Sequence, residues 1–316
     1  MAGSRHLVDP QLLPLLETIP PFELSEAVLP MMRGRPARFT PRAEDVARTT
    51  LERRRVPGPK DAPEVELLVY RPKAATGPLP AILHIHGGGY VAGAAADNEA
   101  VHRPLAADLA CVIVSVEYRL APETPFPGPL EDCYAALAWI GRNAAELGVD
   151  ATRLGVMGES AGGGLAAALA LLARDRGEHA LAFQHLIYPM IDDRTCAAAE
   201  PHPYAGEFVW TPQANRFGWQ SLLGQEPGGE GVSPYAAAAR AERLEGLPPA
   251  FIATGSLDLF LEEDLAYAQR LLRAGVPVEL HVYPGAFHGF QWAAEAEVSQ
   301  TAARDSRTAL ARALRP

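Results

Sequence analysis

Ser160 stands in the middle of Gly158-Glu159-Ser160-Ala161-Gly162, a spacing that suits a hydroxyl acting as a nucleophile. The apolar run Leu154-Gly155-Val156-Met157 leads into it, and a run of small and apolar residues from Gly163 to Leu172 leads out. The pattern therefore predicts a strand, a sharp turn with the serine at its apex, and a helix. Glycine on either side is required because a side chain there would collide with crossing backbone. The start of the helix also aims backbone N–H groups at an anion forming beside the serine. The bland reading is a turn of small residues that lets a helix pack on a sheet. What separates the two readings is whether the other groups that nucleophilic catalysis needs are present.

Three further stretches supply such groups. His86-Gly87-Gly88-Gly89-Tyr90 follows the apolar run Ala81 to Ile85. Three consecutive glycines at a strand end expose amide N–H groups that can donate to an oxyanion. A phosphate-binding loop is the rival reading, but no G-x-x-x-x-G-K-[ST] or G-x-G-x-x-G pattern opens a helix after it. His288 lies between Phe287 and Gly289, just after a late strand, and Asp258 lies just after the strand before that. A serine nucleophile needs a base, and the base needs an orienting carboxylate. The order Ser160, Asp258, His288 is the nucleophile, acid, base order of α/β-hydrolases. Glu262, Glu263 and Asp264 compete with Asp258, and are read as capping or solvating the next helix N-terminus.

The elements that must hold these residues alternate. Thr49–Val56 and Val65–Arg71 read as a hairpin joined through Pro57-Gly58-Pro59. Runs at 81–85, 112–116, 154–157, 183–187, 250–254 and 278–282 read as strands. Helical patterns cover 101–110, 130–143, 263–274 and 295–314. The expectation is an α/β fold with a mostly parallel central sheet of about eight strands, flanked by helices on both faces. Loops at the C-terminal strand edge then share one surface, which gathers Ser160, Asp258 and His288. Two segments stand outside the alternation. Residues 1–45 read as short proline-punctuated helices, with apolar faces at Leu12, Leu13, Leu15, Leu16 and Ile19 and at Phe22, Leu24, Val28, Leu29, Met31 and Met32. Residues 192–233 are rich in proline, glycine and aromatics and read as an inserted helical lid. The catalytic core is then 46–191 with 234–316.

At 316 residues, 48% apolar and 21% charged, the chain has the composition of a globular enzyme. Its net charge is −10, with no basic patch, which argues against nucleic acid or an anionic membrane as partner. No run approaches a membrane span, and the N-terminus shows no apolar targeting segment. Cys111, Cys133 and Cys196 have no metal-like spacing and read as reduced structural thiols, which points to the cytoplasm.

Other residues carry weaker claims. His84 and His86 face one side of a strand, but no third metal ligand is in view, so His84 reads as a core histidine and His86 as a shaper of the glycine loop. Glu159 is read as a carboxylate bonded to nearby backbone. Arg119 and Glu123 are read as an ion pair or turn network around Pro122 and Pro125. Tyr90, Tyr188, Phe22, Phe208 and Trp210 are candidates for lining a substrate pocket, and Phe217 and Trp219 share the aromatic composition of the lid. Their plain alternative is packing of lid on core.

Taken together, His-Gly-Gly-Gly-Tyr at 86–90, Tyr118-Arg119-Leu120-Ala121-Pro122-Glu123, Gly-Glu-Ser-Ala-Gly-Gly at 158–163 and His-Gly-Phe at 288–290 resemble the hormone-sensitive-lipase-like (bacterial family IV) esterases of the α/β-hydrolase superfamily. The resemblance covers most of the chain, including both cover segments. It implies an α/β-hydrolase fold with a helical cap and a serine carboxylesterase acting on short- to medium-chain acyl esters. It also implies an oxyanion hole from the N–H groups of Gly88, Gly89 and Ala161, no metal, no cofactor, and a homodimer as an open option. One departure is Leu259-Phe260 after Asp258, where the family often has Asp-Pro-Leu; it alters loop stiffness more than chemistry. The alternatives within hydrolases are an amidase or a small-molecule deacetylase. From another class, the alternative is a ligand-binding receptor on the same fold, against which the presence of His288 argues.

Overall fold

Val112–Glu117 is five buried residues and one half-buried, the mark of a strand covered on both faces, and it anchors the sheet as β4. The computed structural model describes residues 3–19 and 23–315. Eight strands form one sheet: β1 (Thr49–Val56), β2 (Val65–Pro72), β3 (Leu79–Ile85), β4, β5 (Val149–Glu159), β6 (Gln184–Ile187), β7 (Ala250–Gly255) and β8 (Val278–Tyr283). Their order across the sheet is β1-β2-β4-β3-β5-β6-β7-β8. β1 and β2 form the expected antiparallel hairpin, and β2 also pairs antiparallel with β4. From β4 to β8 every neighbour is parallel. The C-terminal ends of these strands therefore open on one edge, where open α/β sheets place their ligand sites. β5 begins at Val149, five residues before the apolar run suggests, because Leu79 pairs with Val149 across an irregularity in the β3–β5 register.

Helices cover both faces. They are α1 (Leu13–Thr18), α2 (Leu29–Arg33), α3 (Ala43–Arg48), α4 (Glu99–Leu109), α5 (Gly128–Arg142), α6 (Ala161–Arg176), α7 (Pro212–Leu223), α8 (Leu261–Arg273) and α9 (Glu297–Ala313). α6 is the central one. Every residue from Ala161 to Ala173 is buried, so this helix has no wet face over three turns. Its alanines and glycines let it lie close to the sheet. A Cβ at Gly162 would meet Ile85 O at 2.0 Å, and one at Gly164 would meet Met190 O at 2.0 Å. Larger residues there would push α6 off β3 and the segment after β6.

The two segments outside the alternation lie over this core and touch each other. Leu12, Leu15, Leu24 and Leu29 are buried, whereas Met31, expected on an apolar face, is 53% exposed. The five-residue α2 turns that side chain outward. Phe22 lies outside the described residues. In the second segment, Thr211 caps α7 by accepting from Ala214 N at 3.2 Å, and Ala214, Asn215, Gly218, Trp219 and Leu222 are buried. Ser4 Oγ donates to Glu207 at 2.6 Å, joining the first segment to the second. Phe126 N donates to Leu222 O at 2.7 Å, joining α7 to the loop before α5. Among the described residues no helix is long and apolar enough to cross a membrane.

Candidate active site

β5 delivers Ser160 to a turn that the rest of the chain pins. Its φ is 55° and ψ −122°, a conformation that costs a non-glycine residue of the order of 1–3 kcal/mol and persists only where neighbours over-determine it. Those neighbours are visible. Ser160 N donates to Ile187 O at 2.9 Å, and Ser160 O accepts from Gly164 N and Met190 N, each at 2.9 Å. A Cβ at Gly158 would stand 2.2 Å from Gly162 O, so the flanking glycines are needed sterically, as expected.

Three distant side chains meet at this turn. His288 Nε2 lies 3.0 Å from Ser160 Oγ, and His288 Nδ1 lies 2.8 Å from Asp258 Oδ2. All three are buried. Asp258 Oδ1 also accepts from Phe260 N at 3.0 Å, which fixes the carboxylate plane. In this line Asp258 can hold Nδ1–H, leaving Nε2 free to take the serine proton. Of the competing acids, Glu262 is exposed in the first turn of α8 as expected, whereas Glu263 and Asp264 depart from expectation. Glu263 is buried and accepts from Ile191 N at 2.7 Å and Asp192 N at 3.1 Å, and Asp264 is fully buried. Neither caps nor solvates α8, because that helix turns this side toward the core.

The glycine loop lies beside the serine. Gly88 has φ 123° and Gly89 φ 61°, and a Cβ at Gly88 would meet Ala92 O at 2.1 Å. Gly88 O accepts from Val91 N and Ala92 N at 3.1 and 3.0 Å, which closes the turn. Among the described residues, the amides of Gly88, Gly89 and Ala161 donate to no protein atom. His86 bonds Gly87 O through Nδ1 at 2.9 Å and stacks on Tyr118 at 4.2 Å. Burial pushes its imidazole down to about 3, so the ring is a neutral support for the loop.

Aromatic rings surround His288. Tyr188 stands 4.4 Å from it, Phe260 5.2 Å at right angles, and Trp210 6.2 Å. Trp210 also covers the glycine loop: a Cβ on Gly89 would be 2.2 Å from Trp210 Cη2. Asn215 on α7 accepts from the indole N–H at 3.1 Å and so fixes the ring. Phe208 packs edge-on against Phe287, one residue from His288. Tyr90 is fully buried and donates to Met190 O at 2.8 Å, which places it behind the loop and against Trp219.

Phe260 and Asn215 belong to the site without standing among its sequence candidates. Phe260 stands two residues after Asp258, a spacing that could have suggested it. Asn215 carries no local signal. Two pairings also differ from expectation. Glu159 bonds His84 and Asn98 rather than backbone, and Arg119 binds Asp132 while Glu123 binds Arg33. In each case the nearer partner in sequence lost to one brought up by the fold.

A mostly parallel sheet in this strand order, with a strained serine turn after β5, is the architecture of the α/β hydrolases. Comparison with known proteins agrees. The α/β-hydrolase-fold family matches residues 82–292. The carboxylesterase NlhH of Mycobacterium tuberculosis is 36% identical over 292 residues, 91% of this chain and 90% of that protein. An ethyl acetate hydrolase of Pseudomonas putida is 32% identical over 234 residues, 73% of each chain. The solved structure of a bacterial heroin esterase superposes with a TM-score of 0.88 at 39% identity, covering 98% of this chain and 99% of that one. The chain belongs to the α/β-hydrolase-fold family, among its hormone-sensitive-lipase-like carboxylic ester hydrolases.

Proposed function

We propose that this protein hydrolyses short- to medium-chain carboxylic esters with Ser160 as nucleophile, His288 as base and Asp258 as the group that orients it. The observation that carries this reading is the hydrogen-bonded line from Ser160 Oγ to His288 Nε2 and from Nδ1 to Asp258 Oδ2, at 3.0 and 2.8 Å. Ser160 Oγ attacks the ester carbonyl as its proton passes to His288 Nε2. The oxyanion is held by the amides of Gly88, Gly89 and Ala161, which have no protein partner among the described residues to give up. Collapse expels the alcohol, which takes the proton from His288. Water then attacks the acyl-serine with the same base, releasing the acid and restoring the hydroxyl.

Residues 1–45 and 192–233 act as the cover over a core of 46–191 and 234–316. The Ser4–Glu207 bond and the position of Trp210 over Gly89 support this division. Trp210, Tyr188 and Phe208 bound the space that the acyl or alcohol group enters, which favours small esters. The ethyl acetate hydrolase among the relatives points the same way. Three free thiols favour a cytoplasmic setting. A homodimer is part of the reading, and sedimentation of the purified protein tests it. The central test is hydrolysis of nitrophenyl esters of rising acyl length beside fluorophosphonate labelling. Turnover with an adduct on Ser160 supports the reading, and an unlabelled Ser160 rejects it.

A further inference from the structure

The two halves of the site sit on different strands: β3 runs into the glycine loop and β5 into the serine turn. His84 near the end of β3 and Glu159 at the end of β5 join the two directly. Nε2 of His84 is 2.9 and 3.2 Å from the two carboxylate oxygens of Glu159, and Asn98 Nδ2 is 3.3 Å from one of them. On its other side His84 Nδ1 is 2.9 Å from Ser115 Oγ on β4. Ser115 Oγ donates its single proton to Ala95 O at 3.1 Å, so it accepts from Nδ1–H. Asn98 Nδ2 also lies 3.1 Å from His84 Nε2, so its amide bridges the ring and the Glu159 carboxylate.

This serine–histidine–carboxylate chain repeats the types of the active triad, but Ser115 and His84 are fully buried and no substrate reaches them. What the chain does is tie β4, β3 and β5 together at their C-terminal ends. The backbone of Glu159 bears on the same place, since a Cβ on Gly87 would lie 2.9 Å from Glu159 O. One residue later comes the nucleophile, and two residues after His84 comes the loop with the amide donors.

We propose that His84 and Glu159 are positioning residues that set the separation between Ser160 Oγ and the amide donors of the glycine loop. The inference rests on the esterase reading of Ser160. It explains why a carboxylate with no hydrogen bond to His288 is held by two partners.

Glu159 is the better handle, because its side chain is 26% exposed and its removal leaves less of the core unpacked. The test measures kcat and KM of Glu159→Ala and His84→Gln on nitrophenyl acetate, with active sites counted by fluorophosphonate titration. We expect kcat per titrated site to fall about 10- to 100-fold in Glu159→Ala, with KM within about twofold, as for a sub-ångström to 1 Å misplacement. The double variant should lose little more than either single one, since the pair acts as a unit. A merely structural role would lower the melting temperature and the number of titrated sites but leave kcat per site unchanged, and that result overturns the proposal. Glu159→Ala decides the matter alone if His84→Gln does not fold. A wild-type protein that neither turns over nor takes the label would instead reject the esterase reading.

Discussion

Arg33 Nε donates to the carbonyl oxygen of Val91 at 2.8 Å, so a residue of the N-terminal segment grips the glycine loop from outside. Val91 N in turn donates to Gly88 O, within the same tight turn. The rest of the guanidinium binds Ala121 O at 2.9 Å and both oxygens of Glu123 at 2.7 and 2.8 Å. That pairing holds the Glu123 carboxyl down at about 2, with the Arg33 hydrogen bond as the first cause. Arg33→Met keeps the apolar stem and removes the fork. It should lower kcat roughly tenfold by loosening the donors, with little change in KM. Steady-state kinetics check this. A rise in KM with kcat intact would assign Arg33 to covering the substrate instead.

The proposed triad predicts graded losses. Asp258→Asn keeps the shape of the carboxylate but presents the wrong hydrogen-bonding partner to Nδ1, and should cost about 10⁴ in kcat. Ser160→Ala should remove the fluorophosphonate adduct entirely. Mass spectrometry of the labelled chain measures the second, and progress curves at high enzyme concentration measure the first. An Asp258→Asn variant within tenfold of the wild type would move the role of orienting acid elsewhere.

Much of this was readable along the chain because its causes are local. Gly158 and Gly162 surround Ser160 with the room a strained turn requires, and the order of Ser160, Asp258 and His288 follows the strands that carry them. Alternating apolar runs announce the strands, and the sheet order then brings their ends together. What the sequence left open depends on which segment folds over which. Nothing near Arg33 announces Val91 or Glu123, because the contact forms only when α2 lies over the loop. Glu263 and Asp264 have the composition of a solvated helix start, yet α8 turns them inward. The partners of Glu159 and Arg119 differ from expectation for the same reason: a charged residue states its sign but not its neighbour.

On the proposed function, Trp210 should set a size limit. Its ring lies against Gly89 and 6.2 Å from His288, held by Asn215 through the indole N–H. Trp210→Ala should shift the acyl preference toward longer chains and lower the rate on acetate. Conversely, Gly89→Ala places a Cβ at 2.2 Å from Trp210 Cη2, at a residue with φ 61°, and should be severely impaired. In the double variant the ring is gone and only the backbone strain remains, so part of the loss should return. The ratio of kcat/KM for butyrate and acetate esters across the four proteins reads both effects. An unchanged ratio in Trp210→Ala would remove the ring from the acyl path.

Asp264 should make the fold weaker as pH rises. It is fully buried, and neither carboxylate oxygen finds a partner among the described residues. Burial raises its pKa well above the ordinary 3.8, and the charges of Glu263 and Asp258 raise it further. The nearby Thr254 hydroxyl pulls the other way but falls outside hydrogen-bond geometry. An acid with a raised folded value keeps its proton in the folded chain after the unfolded chain has lost it. From its ordinary value up to the raised one, the folded state therefore binds more protons, and stability falls with each step in pH. Asp264→Asn has no proton to lose at this site. Its melting temperature should rise relative to the wild type as pH climbs above the ordinary carboxylate range, by roughly 2 °C for each kcal/mol of removed penalty. Calorimetry of both proteins across that climb measures the difference. A gap that is constant with pH, or that moves against the variant, would mean that Asp264 is ionised and satisfied in the folded chain.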